Sequence, residues 1–394
     1  MLHLTSARPS LGKRLLTTTS ALAIAAAIST AAEAQAITNP NPIAVLTTVH
    51  TETNLILDRL APGGGNFGLG VTTASLSGDP DNLQIAGLDV YSDSDGEELA
   101  QASGDGGARS PWALWSRGYG NFASGGSTSA APGFSADTGG VLFGADYRLD
   151  GNFAGNALVG AAFNYSNTSV AFNDNAGTSE INDYSLSPYG RYQLGDWYAS
   201  ALGTFGVDTF DIKRNVTFPG FAETAKSTPN GEVLGVAGET GYALHPDLAK
   251  PLTLTPLAGF AYTHLHTDGS VESGAGAADL DFNGANTDSL TSSFGARAAL
   301  RLETEREGVF VPEAHGIWQH EYLDDRAKVG VAFADTPGGR FTIVSSRFGA
   351  DTGLLGVGVT NEWSRDVSLF VNYDAQLQSN FTSHTISAGL RVKF

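Results

Sequence analysis

The sequence predicts an all-β fold, a twelve-stranded antiparallel up-and-down transmembrane β-barrel preceded by an N-terminal helix expected in its lumen. Three observations predict it. From Trp112 onward apolar and polar residues alternate with period two, the chain closes on an alternating strand with a terminal aromatic, and short and long connections take turns between the strands.

The closing strand sets the frame. Ile386, Ala388, Leu390, Val392 and Phe394 fall on one face, and Ser387, Gly389, Arg391 and Lys393 on the other. An apolar last strand with nothing after it would leave an aggregation-prone edge in a soluble sheet. Pairing the last strand with the first removes that edge, turns the apolar face to outer-membrane lipid and the Arg/Lys face to a wet lumen.

Composition agrees. Of 394 residues 41% are hydrophobic and only 16% charged, with 49 glycines, a balance that suits many strands joined by turns. Beyond the N-terminus no apolar run reaches the length of a membrane helix. The absence of cysteine excludes disulfides, thiolate metal sites and a thiol nucleophile, and suits a chain that crosses an oxidising compartment unfolded. A formal charge of -19 argues against nucleic acid as a partner.

Residues 1–36 read as a secretory signal, with Arg8, Lys13 and Arg14 ahead of an Ala-rich apolar run. Small residues at Ala34-Gln35-Ala36, or at Ala32-Glu33-Ala34, fit the cleavage site. Residues 37–110 form a short passenger or linker, and within it 43–60 changes period: Ile43, Leu46, Val49, Ile56, Leu57 and Leu60 share roughly one helical face. Asn41-Pro42 is the expected start and Pro62-Gly63-Gly64-Gly65 the stop. This helix is either a small surface helix or one lying in the barrel. After it, eight Asp or Glu and no Lys or Arg occur from Asp79 to Asp105, the pattern of a solvated linker.

Residues 111–394 form the barrel. Strands are expected near 112–122, 137–149, 155–167, 180–194, 197–211, 231–245, 252–266, 288–303, 309–323, 349–363, 367–378 and 384–394, each long enough to cross a bilayer at a tilt. Tight links such as Asp150-Gly151-Asn152, Gly195-Asp196 and Ser364-Arg365-Asp366 alternate with longer loops around 123–136, 168–179, 212–230, 267–287 and 324–348. Trp112, Trp197, Trp318, Trp363, Tyr373 and Phe394 are candidates for aromatic girdles. Counting alternate positions turns Asp146, Arg148, Arg191, Glu239, Arg297, Arg301, Glu303, Glu313, Arg391 and Lys393 inward, where they would pair with one another and grip a plug.

Catalytic and metal patterns are weak. Asp93-Ser94-Asp95-Gly96 resembles part of a calcium loop, but Tyr91 and Ala102 occupy its first and last ligand positions. There is no G-x-S-x-G elbow. His320-Glu321 has no second histidine four residues on, and His264 with His266 has no carboxylate in sequence reach. No cofactor, metal or catalytic residue is assigned.

Separated motifs then resemble one family. Trp112-Ala113-Leu114-Trp115-Ser116-Arg117-Gly118-Tyr119-Gly120, Gly140-Val141-Leu142-Phe143-Gly144-Ala145-Asp146-Tyr147-Arg148, Tyr189-Gly190-Arg191-Tyr192, Gly195-Asp196-Trp197-Tyr198 and the closing Ser387 to Phe394 are similar, in order, to the barrel domain of monomeric autotransporters, the type V secretion proteins. The resemblance implies a Gram-negative outer-membrane translocator that exports its own N-terminal segment. It further implies a secretion translocon and the barrel-assembly machinery as partners during biogenesis, and Ile386, Leu390, Val392 and Phe394 as the assembly signal. A helix ahead of strand one, here 43–60, would fill the pore after export, with the stretch 97–102 as a second candidate. Some members cleave themselves inside the pore at an Asn-Asn pair; residues 37–110 contain none, so no cleavage is expected. The rival readings are a porin-like barrel with a permanent plug and, more distantly, an outer-membrane hydrolase.

Overall fold

The computed structural model describes residues 41–61, 71–72, 112–127, 132–149, 155–246, 251–304, 308–323, 328–335, 339–344, 349–362 and 367–392. The proposed signal with Ala34 and Ala36, the calcium-like loop, the 97–102 stretch, Trp363, Lys393 and Phe394 lie outside them, as do the side chains of Leu390, Arg391 and Val392.

Twelve strands form the barrel wall: β1 Trp112–Gly125, β2 Phe134–Leu149, β3 Asn156–Phe172, β4 Gly177–Leu194, β5 Trp197–Phe218, β6 Asn230–Tyr242, β7 Leu252–Thr267, β8 Ala285–Leu300, β9 Gly308–Glu321, β10 Asp351–Glu362, β11 Val367–Gln378 and β12 Phe381–Val392. Every neighbour in sequence is an antiparallel neighbour in space. The sheet closes where β12 pairs with β1, from Phe381↔Gly125 to Ala388↔Gly118. Toward the short-link end of that seam Val71–Thr72 pairs with Trp115 and Leu114 of β1.

Period two decides what each face meets. Phe143, Phe163, Leu186, Phe205, Phe260 and Leu355 point outward and are exposed, as a lipid-facing band requires, while Asn164, Ser187, Thr204, Thr263, Asn372 and Ser387 point inward and are buried. Of the girdle candidates, Trp112, Trp197, Trp318 and Tyr373 stand on the outer surface.

One expectation is corrected. Loops on the long side carry structure of their own. β5 runs on to Phe218 and returns as Phe221–Ser227, the two phenylalanines stacked with centroids 4.6 Å apart. Ser270–Val271, Leu280–Phe282, Lys328–Phe333 and Phe341–Val344 form a separate four-stranded sheet over an apolar cluster of Leu280, Val331 and Ile343. Short apolar alternation, as in Val329-Val331-Phe333, is enough for such a sheet once another loop covers it. The helix, α1, spans Asn41–Leu60 with the expected start and stop, and is buried on nearly all sides in the lumen where it was expected. Amphipathic spacing implied one buried face, but a helix inside a polar lumen meets wall all round. Among the described residues no helix is long and apolar enough to cross a membrane.

Candidate functional site

α1 threads the lumen. Its 20 residues span ~30 Å at 1.5 Å per residue, about the thickness of a bilayer's hydrocarbon core. Ala44, Val45 and Val49 pack with Phe134, Phe172, Phe210 and Phe381, residues at or toward the loop ends of their strands. Leu55, Ile56, Leu57 and Leu60 pack with Trp115, Leu142, Tyr189 and Leu202. The helix therefore enters from the long-loop side with its N-terminus and points its C-terminus to the short-link side.

Close approach to the wall depends on glycine. The Trp115 ring lies flat across Gly144, its cross-strand partner, where a Cβ would sit 2.3 Å from the indole; Tyr189 lies across Gly160 in the same way, at 2.5 Å. Only a residue without a side chain lets these aromatics lie down and leave room for a helix.

Polar grips then fix the helix. The Arg59 guanidinium stands 4.5 Å over the Trp115 ring, pairs with the Asp146 carboxylate and donates to the Tyr189 hydroxyl oxygen at 3.3 Å. Trp115 Nε1 donates to the same oxygen at 2.7 Å, and the Tyr189 hydroxyl donates to the Asp146 carboxylate. On the other side of the turn, Asp58 accepts from Arg297 Nη2 at 2.7 Å, and Arg297 also donates to Glu239, itself bonded by the Tyr198 hydroxyl at 2.6 Å. Higher up, Glu52 accepts from Ser185 at 2.7 Å and Ser187 at 2.8 Å. Arg117 joins helix to seam, donating to Leu55 O at 3.2 Å and Ser387 Oγ at 2.8 Å. Arg59 with Asp146, and Arg297 with Asp58 and Glu239, are buried ion pairs, so removing one partner leaves a charge stranded.

A closed barrel gripping a helix of this length matches known proteins. Residues 114–374 match the autotransporter beta-domain family. The chain belongs to that family. Among its relatives, an extracellular serine protease of Serratia marcescens is 28% identical over 283 residues, which is 71% of this chain and 26% of that protein. Esterase EstA of Pseudomonas aeruginosa is 25% identical over 255 residues, 64% of this chain and 38% of that protein. This chain thus spans only a quarter to two fifths of these relatives. Of solved structures, the translocator domain of autotransporter NalP from Neisseria meningitidis superposes with a TM-score of 0.55 at 16% identity, covering 74% of this chain and 90% of that one. The transport unit of AIDA-I from Escherichia coli gives 0.51 at 15% identity, covering 75% and 94%. The protein is an autotransporter translocator barrel of the Gram-negative outer membrane.

Within this autotransporter barrel, Asp146, Glu239, Arg297 and Glu313 are buried on the inner face, and Arg148 and Arg191 are half-buried there. Arg191 bonds Gln193 and lies 6.0 Å over the Tyr198 ring. Arg301 and Glu303 are exposed at the short-link end of the wall, where Leu302–Thr304 continues the β8–β9 ladder by pairing with Phe310, Val309 and Gly308. Arg391 has its backbone in β12, with its side chain outside the described residues. Counting missed Asp58 and Arg59, adjacent charges that grip opposite walls, and the inward aromatics Trp115, Tyr119, Tyr189 and Tyr198. A hydrophobic residue between two outward ones, next to glycine on the neighbouring strand, is the signal that would have found them.

His50 on α1 brings its Nε2 to 3.5 Å from Ser289 Oγ, and Glu321 lies beyond. The serine hydroxyl donates its hydrogen bond to Glu321 Oε2 at 2.5 Å and not to the imidazole, the reverse of a base-activated nucleophile. His264 does find a carboxylate, Asp288 across the ladder at 2.8 Å, on the outer face. Among the described residues no three His, Cys, Asp or Glu gather as metal ligands. A recess beside α1 is a cavity of about 70 Å³ along β6 to β11, lined by Asn54, Asp58, Ser293, His315 and Gln319.

Proposed function

We propose that this barrel carries its own N-terminal segment to the cell surface and is then closed by α1. The polarity of the helix carries the reading: its N-terminus lies at the long-loop end and its C-terminus at the short-link end. In an up-and-down barrel with an even strand number both barrel ends lie on the short-link, periplasmic side. A chain drawn outward ahead of β1 would leave the pore helix in this orientation.

In this reading the chain acts as a conduit and not as a catalyst, since the protease and esterase names belong to proteins that extend far beyond the shared barrel. Its partners are outer-membrane lipid, the secretion translocon and the barrel-assembly machinery, with Ile386, Leu390, Val392 and Phe394 as the signal for the last. It works as a monomer and binds no nucleic acid, in keeping with its net charge of -19.

An epitope tag placed after Ala36 tests the reading in intact cells, with a periplasmic protein as the leakage control. Antibody binding from outside is the expected result. Binding only after the outer membrane is broken would replace export by a porin-like barrel with a permanent plug.

A further inference from the structure

Two carboxylates in the lumen wall lack the ion pairing that Asp58 and Arg59 of α1 have. Asp183 on β4 and Asp208 on β5 are direct cross-strand partners, both inward, with 4% and 1% of their surface exposed. Asp183 Oδ1 accepts from Asn164 Nδ2 at 2.8 Å, but Asp183 Oδ2 and both oxygens of Asp208 have no hydrogen-bond partner. No Lys or Arg among the described residues forms an ion pair with either, in contrast to Asp58, Asp146 and Glu239. Glu52 adds a third negative charge close by, held by Ser185, the next inward residue of β4.

Like charges directly opposite on a sheet repel, and burial removes the water that would screen them. Beside the pair the Ser166 hydroxyl is also buried and without a hydrogen-bond partner. Gly206, the next inward position of β5 below Asp208, has no side chain; a Cβ there would sit 3.4 Å from Asp183 Oδ2. Ser166, buried on β3, is the cross-strand neighbour of Asp183 on its other side. The oxygens gathered in this row are hard donors, and a hard dication balances two carboxylates.

We infer that Asp183 and Asp208 bind one divalent cation of the calcium class in the lumen wall, with Ser166 Oγ and water completing an all-oxygen shell. With only two carboxylates the site is weak and depends on its burial. It ties β3, β4 and β5 together beside Glu52, so it stiffens the wall that α1 leans on, whichever way the chain was exported.

The test uses the purified full-length barrel in detergent. Heat unfolding is followed by the mobility shift of the folded barrel on a gel, in choline chloride and then in CaCl2 at equal ionic strength, for the natural protein and for Asp183→Asn with Asp208→Asn. Equilibrium dialysis against ⁴⁵Ca is run on both. Calcium is expected to raise the midpoint of the natural protein by several degrees and leave the double variant unmoved, and the natural protein should bind one more calcium than the variant. The acidic stretch from Asp79 to Asp105 contributes equally to both chains and cancels. If the double variant does not fold, Gly206→Val, which adds bulk and no oxygen beside Asp183 Oδ2, replaces it in the same comparison. Equal calcium binding by natural and variant chains, or a midpoint that responds to acidification alone, would overturn the site and assign the pair a shared proton instead.

Discussion

The two walls that α1 faces differ in kind. Toward β1 to β5 the helix is pressed dry: Ile56 and Leu142 have no exposed surface, and Ala162 and Leu202 almost none. Toward β8 to β11 it faces Ser293, Gln319 and His315 across the 70 Å³ cavity. One wall holds the helix by packing, and the other touches it chiefly through the Asp58–Arg297 pair. A plug built this way is a wedge fixed to one side of its pore. Dispersion and burial scale with close contact, so the dry wall carries most of the retention and the wet wall carries its leak.

Removing the wedge should have the largest effect. Deletion of residues 41–61 should turn a nearly silent channel into one with large, steady conductance in planar bilayers, because the ring of inward Thr, Ser and Asn is polar enough to hold water. An unchanged, silent channel would mean that the wall collapses or that another segment fills it.

Breaking the one strong contact to the wet wall comes next. Arg297→Ala leaves Asp58 and Glu239 buried without their shared cation, a loss of about 3–5 kcal/mol on the scale of broken buried ion pairs. Urea unfolding in detergent should show it. Arg301→Ala, exposed at the rim, is the control and should change little.

Apolar truncation separates the walls directly. Ile56→Ala on the dry side should cost about 2–5 kcal/mol, and Ile317→Ala beside the cavity distinctly less, since a site already next to a void forfeits fewer contacts. Equal costs would erase the distinction between the walls.

That asymmetry was not legible in the sequence, although the barrel was. Alternation in Val141-Phe143-Ala145 or Leu290 to Leu302 reports which face of one strand is apolar, and strand order follows from the links. The inward set could be counted to Asp146, Glu239 and Arg297, but counting places a charge on a face and does not name its partner. Asp58 and Arg59 are neighbours in sequence that diverge by one helical step, and their partners lie 239 and 87 residues away. Arg301 shows the same limit: parity assigns it a face, and only the structure shows that it lies exposed at the rim. The sheet made by the long loops was hidden because strands of two to six residues fall below the length at which period two can be recognised.

The smallest effect on stability should come from filling the wet side. Ser293→Leu projects into the cavity next to Gln319, whose Nε2 donates to Ser293 Oγ at 3.1 Å. The change loses a side-chain hydrogen bond that is worth ~0.5–1.5 kcal/mol net, and gains apolar burial of the same order, so stability should move by less than about 1 kcal/mol. Residual conductance of the intact, plugged barrel should nevertheless fall, because the recess beside α1 is the space left for ions and water. The matching change on the dry wall, Leu202→Phe, has no space to enter and should cost about 1–3 kcal/mol by overpacking, with no gain in sealing. Single-channel recording beside urea unfolding separates the two outcomes. If Ser293→Leu leaves the residual current intact, the leak runs elsewhere, and the wet wall is a packing defect without a transport consequence.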